Sequence, residues 1–393
     1  MNIAVLGGGR LGRVTAGVLS NLPDIDGLTI IDHDSETART TAAAVGPAAR
    51  PLTLDVASGA SLVDALASHT TVVNAVGPTS ELAPHLLDAA IGAGCHYVDA
   101  TDDLATTLAM AERNGAAHHA AVTAVVGAAM SPGLTNLLAV TATRELARVD
   151  HLVTGWGYDA GEGYPRVGNA IELDRRPTTL ARSMASMIGD DVTFIAGSEP
   201  QTLSTLAPVA ITFPETGTGT GWTTGRPETL TLAANLDIAG RVDSVMLTRR
   251  RTASLFASYR NGINSGALDR SWLPVLLADP PLRRRIGAMF GAILRPGATA
   301  IPAVFALATG QHSDGTRLRV GVSLPGLEAG LHEIAGTVLA HVAHLVSDGS
   351  SAPGIQTIEE LEQPRSLLDR IVAQLTDPSA GQGNPVHIAN EPL

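Results

Sequence analysis

A doubly wound parallel α/β sheet followed by a second, α+β domain is the fold this sequence predicts, on three observations. Strand-length apolar runs alternate with segments of helical spacing over the first third of the chain. A glycine-rich turn joins the first such run to the first helical segment. After about residue 136 the rhythm changes to β-rich runs separated by glycine loops and isolated helices, which is the pattern of an α+β unit rather than of further crossovers.

The first strand is expected from Ile3 to Leu6, four consecutive apolar residues. It runs into Gly7-x-Gly9-x-x-Gly12, and Leu11, Val14, Val18, Leu19 and Leu22 then recur at helical spacing. Strand, glycine turn and helix in that order are the context a dinucleotide site of the Rossmann type requires. Gly7 permits the tight turn, Gly9 lets backbone approach a pyrophosphate and Gly12 lets helix and strand pack closely. The amides at Arg10 and Leu11 would face the phosphates. A second strand, Leu28 to Asp32, ends on a carboxylate about twenty residues beyond Gly12, where an acid meets the adenosine ribose hydroxyls. Asp32 repels a 2′-phosphate, and its neighbours His33 and Asp34 supply no guanidinium, so NAD is expected over NADP; Arg39 is the residue that would serve the alternative.

Further along, Ser35 to Val45 reads as an alanine-rich helix and Pro51 to Val56 as a third strand. Asp55 and Val56 fall where adenine is gripped, although Asp55 suits a helix cap equally well. Ser61 to Ser68 is a helix. Thr71 to Asn74 is a strand running through Ala75, Val76, Gly77 and Pro78 into a turn. Ligands of open parallel sheets bind beyond the carboxyl ends of the strands, so Asn74, Val76, Gly77 and Pro78 are expected at the nicotinamide half of the cofactor. Leu82 to Ile91 is helical with Gly94 as C-cap, His96 to Ala100 a strand, Leu104 to Asn114 a helix and Ala121 to Gly127 a sixth strand. The expected domains are 1–133 for the dinucleotide, 134–350 for substrate and dimerisation, and 351–393 as a closing segment. In the second domain, strands are expected at 150–154, 192–195, 209–213, 242–248 and 318–324, a lid or plain loop over Glu215 to Arg226, and one long amphipathic helix from Leu327 to Leu345 ended by Asp348-Gly349. The tail from Asp377 is expected to be loosely held.

The totals bound the function. With 393 residues and 45% apolar content the chain can build two cores. A net charge of −12 argues against nucleic acid or an anionic membrane as main partner. The single cysteine, Cys95, excludes an internal disulfide and fits a reducing, cytoplasmic setting, and a strand starting at Asn2 leaves no room for a signal peptide. All 26 basic residues are arginine. Schiff-base chemistry and a lysine general base are therefore closed to this chain.

Taken together, Gly7-x-Gly9-x-x-Gly12, Val73-Asn-Ala-Val-Gly-Pro78, Tyr97-Val-Asp-Ala-Thr-Asp102 and Gly127-x-x-x-x-Pro-Gly133 followed by Asn136 resemble the saccharopine dehydrogenase-like oxidoreductases of the saccharopine reductase and lysine 6-dehydrogenase type. Gly225-Arg-Pro-Glu228 and Ala352-Pro-Gly-Ile355 before Glu359-Glu360 match more loosely. The resemblance is good to about residue 140 and thin from 150 to 310. It implies hydride transfer between a nicotinamide and a C–N centre, and a C-terminal helix that returns to the cofactor domain. A lysine used by such enzymes has no counterpart here, and the middle domain is poor in aromatics, so lysine or saccharopine is not implied as substrate.

The chemistry is expected just after the fifth strand. Imine reduction needs a hydride donor held face-on and a proton supplied to nitrogen; the reverse reaction needs a base. Asp102 or Asp99 is the expected acid–base or ammonium-holding carboxylate, with Tyr97 assisting, while capping of the next helix is the competing role for Asp102. His96, beside Cys95, reads as packing before catalysis. Arg166, Arg175, Arg176, Arg226 and Arg251 are candidate clamps for a substrate carboxylate, each in competition with an ordinary solvated surface role. Tyr158, Tyr164 and Glu172 fall in or beside a glycine-rich segment that suits a cleft lining. His341-x-x-His344 has helical spacing but no third ligand nearby, so no metal is expected. A small-molecule substrate and a homodimer complete the expectation; a nicotinamide-dependent alcohol or carbonyl oxidoreductase and a non-catalytic dinucleotide sensor are the rival readings.

Overall fold

The structure, a computed structural model, describes residues 1–158, 179–188, 191–196, 199–295, 301–376 and 385–393. The chain divides into two units, Met1–Leu134 with His332–Asp377, and Thr135–Leu331 with Pro378–Leu393.

The first unit is a Rossmann-type sheet. Its strands are β1 (Asn2–Leu6), β2 (Gly27–Asp32), β3 (Ala49–Thr53), β4 (Thr71–Asn74), β5 (His96–Asp99) and β6 (Thr123–Val125), joined at the edge by Gly354–Gln356. Spatial order is β3-β2-β1-β4-β5-β6 and then Gly354–Gln356, every neighbouring pair parallel. The chain thus winds outward from β1 in one direction, returns, and winds outward from β4 in the other. The switch point lies between the loops that leave β1 and β4. The strands are short and near-continuously apolar because helices cover both faces: Ile3, Val5, Ile30, Val72 and Val98 are fully buried.

The helices are α1 (Arg10–Leu19), α2 (Ser35–Val45), α3 (Ala60–Leu66), α4 (Thr79–Ala93), α5 (Leu104–Ala111) and α6 (Asn114–His119). Asp34 caps α2 by accepting from the amides of Glu36 and Thr37, and Gly94 ends α4 in the left-handed conformation. The single helix expected over 104–114 is two, broken between Ala111 and Asn114. The third strand begins and ends earlier than its apolar pattern suggests, leaving Asp55 and Val56 beyond its end.

The long helix runs from Leu331 to Val346, and all but its first residue belongs to the first unit. So does the helix Pro364–Leu375, the closing segment that was expected to return to the cofactor domain. The boundary expected at residue 350 therefore lies at 331/332: the helix is needed to cover α1, and a side chain at Gly336 would collide with Val14.

The second unit is a mixed sheet in the order Pro208–Phe213, Gly217–Thr223, Ile238–Leu247, Arg148–Gly157, Val304–Gln311, Arg317–Ser323 and His387–Pro392, with the hairpin Asp191–Ala196/Glu199–Ser204 attached at one bridge. Two expectations are corrected here. Glu215 to Arg226 is neither lid nor loop, because Gly217–Thr223 is an interior strand whose threonines pair across the ladder. The tail is not loose at its end either: His387–Pro392 pairs antiparallel with Arg317–Ser323, though 377–384 lie outside the described residues. Among the described residues, no helix is long and apolar enough to cross a membrane.

His341, on the inward side of the long helix, gives a stability signature. It is 7% exposed, and its Nε2 has no hydrogen-bond partner among the described residues. Burial first, then the charges of Arg370 and His344, push its imidazole down to about 4. The unfolded chain, with an ordinary imidazole near 6.5, binds the proton first as pH falls. Stability present above about pH 6.5 should therefore be lost progressively toward pH 4, on the order of 2–3 kcal/mol from this group. Urea denaturation at stepped pH checks this, and His341→Leu should flatten the acid limb.

Candidate functional site

At the end of β1 the chain turns through Gly7, held at φ +90°, a value that excludes ordinary side chains. The turn returns so tightly that a Cβ on Gly12 would overlap the Gly7 carbonyl oxygen. A Cβ on Gly9 would meet nothing within 4 Å, so the middle of the turn faces open space. Helix α1 begins at Arg10 with Gly9 as an N-cap that donates no side chain, and its leading amides point where an anion could sit. The turn is anchored from both sides. The Gly7 amide donates to the Ile31 carbonyl at 2.7 Å and the Gly8 amide to the Asp32 carboxylate at 2.8 Å. Across the switch point, a Cβ on Gly7 would touch Val76 at 3.0 Å and the Ala75 carbonyl at 3.1 Å, so the loops after β1 and β4 are in contact.

Asp32 stands at the carboxyl end of β2 with its side chain 11% exposed, also accepting from the Asp34 amide at 2.9 Å and lying 3.0 Å from His33 Nδ1. Arg39, on α2, is ion-paired with Glu36. Asp55 is exposed and accepts from the Ala57 amide, a turn-capping role ahead of α3, while Val56 is buried in the core of the first unit.

Three loops on the β4 side are tied together by one buried polar network. The Asn74 side-chain amide donates to the Tyr97 hydroxyl at 3.0 Å, and its carbonyl accepts from the Val76 amide at 2.9 Å. Tyr97 donates to Asp99 at 3.1 Å. Asp99 also accepts from the amide and hydroxyl of Thr101 and from the Gly127 amide in the loop after β6. Asn74, Tyr97 and Asp99 are all fully buried. Burial raises the Asp99 carboxyl against the opposing effect of its hydrogen bonds, and burial plus the adjacent Asp99 raises the Tyr97 phenol well above its ordinary value. Tyr97 is thus a neutral donor. The pair shares a face, as strand alternation demands, but it is a fastening between strand ends with no exposed surface.

The two acids that follow divide their roles. Asp103, not Asp102, caps α5: it is the N-cap and accepts from the Thr106 amide at 2.8 Å. Asp102 is half-buried and precedes the cap. His96 Nδ1 accepts from the Thr123 amide at 3.1 Å, which makes it a strand-pairing residue whose imidazole is held low first by burial.

Sequence reasoning missed His332, far along the chain, in the first turn of the long helix. Burial and then the Arg10 guanidinium hold its imidazole below the ordinary value, so the charge of Arg10 is felt there. No local pattern in the sequence links positions 10 and 332.

In the second unit Glu228 is fully buried, accepting from Thr135 Oγ1 at 2.7 Å and Ser244 Oγ at 3.4 Å. Arg226 is 5% exposed with its guanidinium 5.1 Å from the Trp156 ring, so it is no solvated surface charge. The one signal for this cluster was the Gly225-Arg-Pro-Glu228 string. Arg251 is exposed on the helix Arg250–Asn264, and the Tyr158 ring packs at 5.6 Å from Phe256. Arg166, Arg175, Arg176, Tyr164 and Glu172 lie outside the described residues. His344 Nε2 bonds the Pro23 carbonyl at 3.0 Å, and among the described residues no group of three His, Cys, Asp or Glu is placed to hold a metal.

Residues 3–135 match the family model of the saccharopine dehydrogenase NADP binding domain. Among solved structures, the chain is similar to the apo histidine-tagged saccharopine dehydrogenase (L-Glu forming) from Saccharomyces cerevisiae, at 14% identity over 100% of this chain and 99% of that one, with a TM-score of 0.65. It is also similar to the homospermidine synthase of Legionella pneumophila solved in complex with NAD, at 10% identity over 100% and 91% of the two chains, with a TM-score of 0.60. The likeness to both is one of fold. No curated protein matches the chain. The chain therefore has a nicotinamide-cofactor oxidoreductase fold related to saccharopine dehydrogenase.

The buried network makes a measurable demand. Removing the Tyr97 hydroxyl strands the Asn74 amide and takes one donor from Asp99, both inside the protein. Tyr97→Phe should cost about 1–3 kcal/mol in chemical denaturation, far more than the same change at an exposed tyrosine.

Proposed function

We propose that this protein is an NAD-dependent oxidoreductase that transfers hydride between the nicotinamide and a C–N centre, amine or imine, of a small amino-acid-derived substrate. The observation that carries the reading is the glycine turn: Gly12 without a side chain, open space at Gly9, an uncapped α1 and the Asp32 carboxylate at the neighbouring strand end form a cradle that fits a dinucleotide. Gly7, Gly9, Arg10, Leu11 and Gly12 would border the diphosphate, Asp32 and His33 the adenosine ribose, Asp55 and Val56 the adenine, and Asn74, Val76, Gly77 and Pro78 the nicotinamide half. When bound, the nicotinamide supplies or accepts the hydride.

Asp32 supports NAD over NADP, since its negative charge opposes a 2′-phosphate and Arg39 is engaged with Glu36. The C–N chemistry is supported by the kinship with saccharopine dehydrogenase and by the name of the second structural neighbour, a homospermidine synthase. Within this chain, the proton work falls to carboxylates. Asp102, half-buried in the loop after β5, is the carboxylate we assign to take a proton from the amine or return one to nitrogen. Asp99 and Tyr97 fasten the start of that loop, and Asp103 caps the helix that follows it.

Three mutational outcomes test these assignments. Asp32→Ala should weaken NAD(H) at least tenfold in fluorescence titration and leave NADP(H) unchanged or improved; equal losses would remove the cofactor preference. Asp102→Asn should lower kcat by about 10²-fold or more on an amine or imine substrate, with NAD(H) affinity intact. Asp103→Ala should do the reverse, lowering stability by about 1 kcal/mol with kcat retained. Turnover unaffected by Asp102→Asn would end the assignment.

A further inference from the structure

The helix Leu282–Gly291, continued by the turn Ala292–Leu294, is built inside out. Its inward side carries small residues and one arginine. Ala288 is buried, a side chain at Gly291 would collide with Ser254, and Arg284 donates to the Ser258 carbonyl at 3.0 Å with its guanidinium 5.3 Å from the Tyr259 ring. All the large apolar residues point the other way: Leu282 is 72% exposed, Ile286 46%, Met289 57%, Phe290 70%, Ile293 75% and Leu294 89%. At 100° per residue they cover an arc of about 140° on one side of the helix. Together they expose on the order of 700 Å² of apolar surface, more than the largest patch of a typical monomer.

We propose that this face lies on a lipid bilayer bearing anionic headgroups, the helix axis parallel to the surface and the six side chains inserted among the upper acyl chains. The arc is the first argument. A helix paired with a second copy of itself buries a narrow seam, here Leu282, Ile286, Met289 and Ile293, and would leave Phe290 and Leu294 in water; a planar apolar medium covers all six. Charge is the second. From Pro280 to Arg295 the sequence has four arginines and no acid, inside a chain whose net charge is −12. Arg284 and Arg295 turn inward onto Tyr259 and Trp222. Arg285 remains exposed beside the apolar arc, sharing Asp279 in a surface pair, and Arg283 is exposed within the arc at its N-terminal end; long arginine stems can lift their heads to phosphate level. Length is the third: ten helical residues and one further turn cannot span a bilayer but suffice to lie on it. The overall acidity that argued against a membrane partner is thus reversed locally.

Co-flotation of the full chain with vesicles tests this, using phosphatidylcholine alone and roughly three parts phosphatidylcholine to one of phosphatidylglycerol. Binding to the anionic vesicles should exceed binding to the neutral ones and fall with salt. The double variant Phe290→Ser/Ile293→Ser should lower it at least tenfold while NADH titration and melting temperature stay at wild-type values, as expected for side chains already in water. Arg283→Gln/Arg285→Gln should remove the preference for anionic vesicles. The proposal is overturned if the wild type fails to float, if the serine variant floats equally well, or if sedimentation shows a wild-type dimer that the serine variant splits.

Discussion

Everything in the first unit follows from how close α1 comes to β1. A helix that starts directly at a strand end, with its axis laid against the sheet, must pass its first turn over the carbonyl that ends the strand. Only a residue without Cβ can be there, and Gly12 is that residue. The closeness frees the amides at Arg10 and Leu11 from any side-chain cap and turns them toward the carboxyl edge of the sheet. It also sets where α1 presents its outer side, onto which the helix Leu331–Val346 packs, close enough that Gly336 too must lack a side chain against Val14. The cradle is therefore bounded by two glycine contacts on either side of one helix, the second contributed from more than three hundred residues away. His332 feels the charge of Arg10 because of that second contact.

This explains which parts of the fold could be read from the sequence. The β1–α1–β2 unit was legible because its constraints are local: an apolar run, three glycines, a helical period and an acid all fall within thirty-two residues. The same holds for the Gly94 C-cap and for β4, β5 and β6, whereas the edge strand Gly354–Gln356 was not anticipated. The domain boundary at 331/332 was not legible, since the long helix has the same amphipathic pattern whichever unit it covers. The strand Gly217–Thr223 was hidden by its composition. Gly and Thr alternate there because Gly221 sits against Val245 and Ile211, where a side chain has no room, and such a pattern reads locally as a flexible loop. His387–Pro392 escaped for a related reason, as an edge strand whose partner lies some seventy residues back and whose own apolar content is low.

The functional residues divide along the same line. The position of Asp32 at the end of β2, beside the glycine turn, was legible because its distance from Gly12 is set by one βαβ crossover. Tyr97 and Asp99 were read as a pair on one face, and their joint burial with Asn74 shows them to be fastenings: two strand ends and the loop after β6 share one hydrogen-bonded network that ends on a carboxylate. A sequence shows that a tyrosine and an aspartate face the same way, but not whether that way opens on solvent. Arg226 and Glu228 illustrate the converse. Charged residues are presumed to be solvated, and only the packing of Trp156, Thr135 and Ser244 around them reveals that they are interior.

The absence of lysine sharpens what the acids must do. An arginine can bind an anion or stack on a ring, as Arg226 and Arg284 do here, but it does not give up its proton at any pH an enzyme meets. The proton transfer at nitrogen that the proposed function requires must then rest on a carboxylate, an imidazole or water. His96 spends its Nδ1 on the Thr123 amide, and His341 is enclosed in the helix packing. Of the aspartates at and after the end of β5, Asp99 is enclosed and Asp103 caps α5. Asp99 also holds the Thr101 amide and the Gly127 amide. The loop that carries Asp102 is thus fastened at its start by Asp99 and at its end by the Asp103 cap, and the proposed proton transfer at Asp102 relies on that fixed backbone.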